Sequence, residues 1–156
     1  MPAERHTAAD RHTTAERRGH SRTAPVPAAS HELLEVARHG LAEAIMARTA
    51  AERYAAAHLA ALRAAAAVLA CRVRPGSGRR GLRSVWVVLP EVAPELGEWA
   101  AFFAAGAGKR AAAEAGLPGA VTVREGDDLL RDAASFVELV EATLGLPHQS
   151  AFPLVG

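Results

Sequence analysis

Residues 49–73, TAAERYAAAHLAALRAAAAVLACRV, constrain the fold more than any other stretch of the chain. Thr49 followed by Glu52 is a capping box: the hydroxyl accepts from the Glu52 amide while the carboxylate reaches back. The run then continues on Ala, Leu and Arg, all strong helix formers, with no Gly or Pro before Pro75. Leu59, Leu62, Ala66, Leu69 and Val73 recur at alternating three- and four-residue spacing and predict the seam of this helix, with alanine filling the remaining surface. A cation and an imidazole, Arg53 and His58, stand early in an otherwise apolar segment.

Such a helix needs partners of matching texture. Half of the 156 residues are hydrophobic but only 4% are aromatic, so alanine carries much of the apolar content. Small side chains suit helices that approach closely, whereas a sheet draws on β-branched and aromatic residues. The length fits one domain with a single modest core. A net charge of +1 gives no global attraction to nucleic acid or membrane, so any such affinity must come from a local patch. Lys109 is the only lysine, a bias that fits a GC-rich genome. The single cysteine, Cys71, allows no internal disulfide and reads as a small core residue in a reducing compartment. No run long enough to span a bilayer is free of charge, and the basic amino terminus lacks the apolar stretch of a secretory signal. The expectation is a cytoplasmic protein without membrane attachment.

Residues 1–29 mix Arg, His, Thr and Ala with almost no large apolar side chain and are expected to form a disordered tail. Its histidines, His6, His12 and His20, do not stand at metal-ligand spacings. The bundle is expected over 30–145. Its first helix is predicted to begin at Ser30 as N-cap, with Leu34, Ala37, Leu41, Ala44 and Ile45 on one stripe. It ends just before Thr49, and so short a connection makes the first two helices antiparallel neighbours. The segment RPGSGRRGLR, 74–83, is a Gly-rich basic loop without the fixed pattern of a P-loop. SVWVVL, 84–89, reads as a short helical turn stopped at Pro90. Pro94 suits a helix N1 position, and Leu96, Trp99, Phe102 and Phe103 supply an aromatic cluster. Gly106-Ala107-Gly108 marks a break or bend, and Gly116 with Pro118 an end. A second capping box, Thr122 to Glu125, opens the last helix. Leu129, Leu130, Ala133, Val137, Val140 and Leu144 form its stripe and Gly145 its stop. The acids Glu125, Asp127 and Asp128 are explained by the dipole of its first turn. Residues 146–156 are expected to be a loosely attached tail. The reading is all-α: an antiparallel bundle of four to five helices.

ERYAAAHLAALRAAAAVLA, the loop, and SVWVVLPEVAPELGEWAAFFAAGAGKRAAAEAG together resemble the HEPN superfamily. They are most similar to its small stand-alone members in high-GC Gram-positive bacteria. The resemblance extends over 33–144 and is most specific over 52–116. It implies an antiparallel helical bundle, dimerisation through helices and, in many members, a metal-independent endoribonuclease site marked by Arg, four to six residues, then His. Arg53 and His58, with Tyr54 following the arginine, satisfy that spacing.

Metal-free RNA cleavage needs a base for the 2′-hydroxyl, an acid for the leaving oxygen and a cation on the phosphate. His58 and Arg53 supply the residue types, Tyr54 a possible polar partner, and a second proton carrier would have to come from a second copy of the chain. On an ideal helix, however, positions five apart diverge by about 140°. Two readings follow. In the first, the chain is a non-catalytic helical interaction domain, a homodimer acting as an accessory factor that binds a protein partner or nucleic acid. Arg79, Arg80 and Arg83 would then contact phosphate. In the second, it is an endoribonuclease using Arg53, His58 and Tyr54. Neither calls for a cofactor or metal: there is no dinucleotide fingerprint, zinc-ligand cluster or nucleophile beside a convincing base. The first reading is preferred.

Overall fold

A computed structural model of the chain describes residues 25–73 and 83–147. It contains five α-helices: α1 (Ala28–Met46), α2 (Ala50–Arg72), α3 (Val85–Val92), α4 (Gly97–Glu114) and α5 (Val123–Thr143), with a 3₁₀ turn, Pro94–Leu96, leading into α4. No strand occurs among the described residues. The four long helices alternate in direction, and α2 packs against all the others. Cross-links show the order: Ser30 Oγ on α1 donates to the carbonyl of Ala67 near the far end of α2, while the Arg53 side chain meets the carbonyl of Ala44.

Central position decides which face of α2 is buried. Ala57, Ala60, Ala61, Ala64, Ala65, Ala67 and Val68 are fully enclosed, whereas Leu59, Leu62, Ala66, Leu69 and Val73 are only half-buried. The expected leucine seam is therefore a margin. Where neighbouring helices approach most closely, only alanine fits, and the leucines fill the wider gaps at the sides. Gly40 shows how tight the α1–α2 contact is: a Cβ there would lie 3.3 Å from the Ala60 Cβ. α2 is also apolar enough, by length and composition alone, to cross a bilayer. Here those apolar faces meet α1, α3, α4 and α5.

The predicted caps at Thr49 and Thr122 form, the first by its hydroxyl half alone. Thr49 Oγ1 accepts from the Glu52 amide at 3.1 Å, and Thr122 with Glu125 forms the full reciprocal box. The stripes of α1 and α5 are buried as expected at Leu34, Ala37, Leu41 and Ala44, and at Leu129, Ala133, Val137 and Val140. Four details differ from expectation. α1 starts at Ala28 behind Pro27, so Ser30 lies inside the helix, where its hydroxyl satisfies a buried carbonyl of α2 rather than capping an end. α3 runs past Pro90 to Val92, because burial of Trp86, Val88 and Leu89 outweighs the missing amide in so short a helix. α4 passes through 106–108 unbroken. Finally, Leu146 is not loose: its amide donates to the Glu141 carbonyl at 2.8 Å around Gly145 (φ 70°), a Schellman closure that seats Leu146 against the core. Of the expected tails, 1–29 and 146–156, residues 28–29 belong to α1, and residues 1–24 and 148–156 lie outside the described residues.

Candidate functional site

The spacing argument singles out one turn and a half of α2, and the structure gives its three side chains different surroundings. Arg53 reaches back over the end of α1. Its Nε donates to the Ala44 carbonyl and a terminal nitrogen to the Ala47 carbonyl, both at 3.0 Å, while the other terminal nitrogen bonds Asp127 at 2.7 Å. The last turn of any helix leaves carbonyls without amide partners, and a cation there meets the negative end of the dipole. Arg53 thus fastens the end of α1, the start of α2 and the first turn of α5 with each of its guanidinium nitrogens engaged.

His58 has no solvent exposure (0%). Its Nε2 lies 2.8 Å from the carbonyl of Phe103 on α4, and its Nδ1 lies 3.2 Å from a terminal nitrogen of Arg110. A carbonyl only accepts and a guanidinium only donates. These partners require the neutral tautomer with the proton on Nε2, which donates to Phe103, and a lone pair on Nδ1, which accepts from Arg110. Tyr54 stacks on the ring at 6.3 Å between centroids, and Trp86 and Phe103 present edges at 6.0 and 5.9 Å. Burial holds the imidazole below its ordinary value of 6.5; the Phe103 carbonyl pulls the other way, Arg110 lowers it further and Glu114 raises it.

Tyr54, also buried, donates its hydroxyl proton to the Gly106 carbonyl over a long 3.4 Å. Burial raises its pKa; Lys109 lowers it and Glu125 raises it. The glycine at 106 is explained by this contact: a Cβ there would lie 2.7 Å from the Tyr54 hydroxyl oxygen. The two residues of the spacing motif therefore serve different contacts, Arg53 the α1 and α5 ends and His58 the α4 backbone. Tyr54 stands with His58, not with Arg53.

Residues that the sequence reading did not select complete the cluster. Arg110, with its Nε 3.6 Å from Glu114, is the arginine that meets His58. Lys109 pairs with Glu125 and ties α4 to the start of α5. The sequence offered Gly106 as a hint, but Gly108, equally interior to α4, has no neighbour within 4 Å, so glycine alone did not single out the contact. Of the candidate phosphate contacts, Arg83 is exposed and pairs through both terminal nitrogens with Glu91 at 2.6 and 3.2 Å. Arg79 and Arg80 lie outside the described residues. Trp99 is half-buried and stacks on Phe103 at 5.9 Å, with Phe102 exposed beside it. Among the described residues no three His, Cys, Asp or Glu side chains gather as metal ligands.

The chain is an all-α bundle organised around an alanine-rich central helix that carries Arg53 and His58. Comparison with family descriptions makes this specific: the SAV_6107-like HEPN family is matched over residues 44–141, and the chain belongs to it. No curated protein and no solved structure gave a match.

Proposed function

We propose that this HEPN domain is a non-catalytic interaction module, a homodimer that serves as an accessory factor by binding a protein partner or nucleic acid. One observation carries the reading: His58 is enclosed, with both ring nitrogens committed to internal partners. A general base must reach the proton it removes, and an Nδ1 lone pair covered by Arg110 offers no path to a 2′-hydroxyl. Arg53 is likewise occupied by two carbonyls and a carboxylate, the kinds of acceptor that compete with phosphate.

The test is to incubate the purified chain with single-stranded and hairpin RNA in the absence of metal. The expected outcome is no cleavage above that of the His58→Gln variant. Cleavage abolished by both Arg53→Ala and His58→Ala in folded protein would reverse the reading in favour of the endoribonuclease. The binding half is checked by titrating labelled RNA and DNA at two salt concentrations against a variant with Arg79, Arg80 and Arg83 all changed to Ser. Loss of a salt-dependent component is the expected result, and sedimentation of the free chain reads the dimer.

A further inference from the structure

We propose that the His58–Arg110 contact is an acid-operated latch: a second proton on the His58 ring expels Arg110 and lets the C-terminal half of α4 lift from α2 while the rest of the bundle stays closed. The tautomer dictates the event. Because Nε2 already carries a proton toward the Phe103 carbonyl, the only site left to protonate is Nδ1, whose lone pair receives the Arg110 guanidinium at 3.2 Å. A proton there sets donor against donor and cation against cation inside a buried site, with no acceptor in place.

The groups facing the ring leave few ways to absorb that charge. On α2 it meets Tyr54, and on α3 the uncharged Trp86. On α4 it meets Phe103, Arg110 and Glu114, the last of which is already drawn to Arg110. α5 enters behind Trp86 and Phe103, through Phe136. Lys109 and Glu125 lie one step further out, beside Tyr54. Burial holds the closed ring below 6.5, and an opened ring regains that value, so acid favours the open form.

The same geometry says which segment gives way. Arg110 Nε is buried without a hydrogen bond, so its guanidinium is held inward by the His58 contact and a long 3.6 Å pair with Glu114. The Tyr54–Gly106 bond is long, and Gly106 and Gly108 weaken the helix between the two anchors. The N-terminal half of α4 is pinned by Ala100 and Phe103, both fully buried, whereas the C-terminal half buries only Ala113, still 9% exposed. Lys109–Glu125 opposes the lifting, but it is a surface pair.

Hydrogen exchange on the intact chain, read by mass spectrometry and corrected for intrinsic rates, tests this. Between about pH 7.5 and about pH 5.5 the amides of residues 104–114 should lose protection by about tenfold, the linkage expected for a group that regains an ordinary histidine pKa on opening. Those of α1 and α5 should change far less. His58→Gln, whose amide can donate to Phe103 and accept from Arg110 but cannot titrate, should abolish the change. Arg110→Gln, which keeps a donor to Nδ1 and removes the charge, should reduce it, and serves as the test if His58→Gln does not fold. An equal acid response in these variants, a response spread evenly over all five helices, or none at all would overturn the proposal.

Discussion

The two ends of the α2 motif were built by opposite means. At the Arg53 end the chain meets water, and a charged side chain gathers carbonyls of α1 and a carboxylate of α5 into one surface clasp. One and a half turns later, at His58, the helix is enclosed, and polarity survives only because a neutral ring finds one acceptor and one donor. A spacing that looks like a single catalytic pair sets its two side chains against different neighbours. The lesson is that residue spacing along a helix fixes angle and rise, while the elements that pack around it decide whether two side chains share a solvent-open site.

That contrast can be broken from either side. The largest effect is expected at the enclosed end. His58→Ala removes a ring packed among Tyr54, Trp86 and Phe103 and orphans two buried partners, a loss of about 3–4 kcal/mol in denaturant unfolding. His58→Gln should recover part of it. At the clasp, Arg53→Ala forfeits charge-assisted bonds at a site still 24% exposed, so about 1–2 kcal/mol is expected. Arg53→Lys should restore little, since one ammonium cannot span three acceptors.

The ends should also differ in their response to acid. A histidine whose folded pKa lies below its unfolded value contributes stability that is complete above the unfolded value. That stability is lost as pH falls toward the folded pKa. Unfolding free energy should therefore drop below about pH 6.5, by up to about 1.4 kcal/mol per pH unit until the ring is protonated or α4 opens. The slope should be absent in His58→Gln and retained in Arg53→Ala. Smallest is a sign change at Gly106. In the natural chain Gly106→Ala drives a Cβ against the Tyr54 hydroxyl and destabilises. With Tyr54→Phe that oxygen is gone, and the same substitution should stabilise α4 by about 1 kcal/mol through helix propensity. A double-mutant cycle of thermal unfolding reads it directly.

Much of the fold was legible because it rests on local chemistry. Thr49, Thr122, Gly116 and Gly145 mark helix ends through hydrogen bonds made within a few residues, and the stripes of α1 and α5 contrast leucine and valine with charge. α2 offers no such contrast. Alanine surrounds it, so the leucines drew the seam toward themselves, although the closest helix contacts lie on the alanine face. Pro90 and Gly106 misled for the same reason: their local cost is visible in sequence, whereas what offsets it, the cover that α4 and α5 give Trp86 and the Tyr54 hydroxyl of α2, is brought by other helices. The candidate site was legible as residue types and not as a constellation. Arg53, Tyr54 and His58 were named from spacing, but Arg110 and the Phe103 carbonyl, which decide what His58 can do, come from a helix some fifty residues away.

The most direct measurement is a pH titration of the His58 ring by nitrogen- and carbon-detected NMR, with the signal identified by its absence in His58→Gln. A ring that holds its proton on Nε2 and titrates with a midpoint below 6.5, unaffected by added RNA, is the expected result. A ring that exchanges between tautomers, titrates at or above 6.5 and shifts when RNA is added would contradict the account and return His58 to the role of a solvent-reachable acid or base.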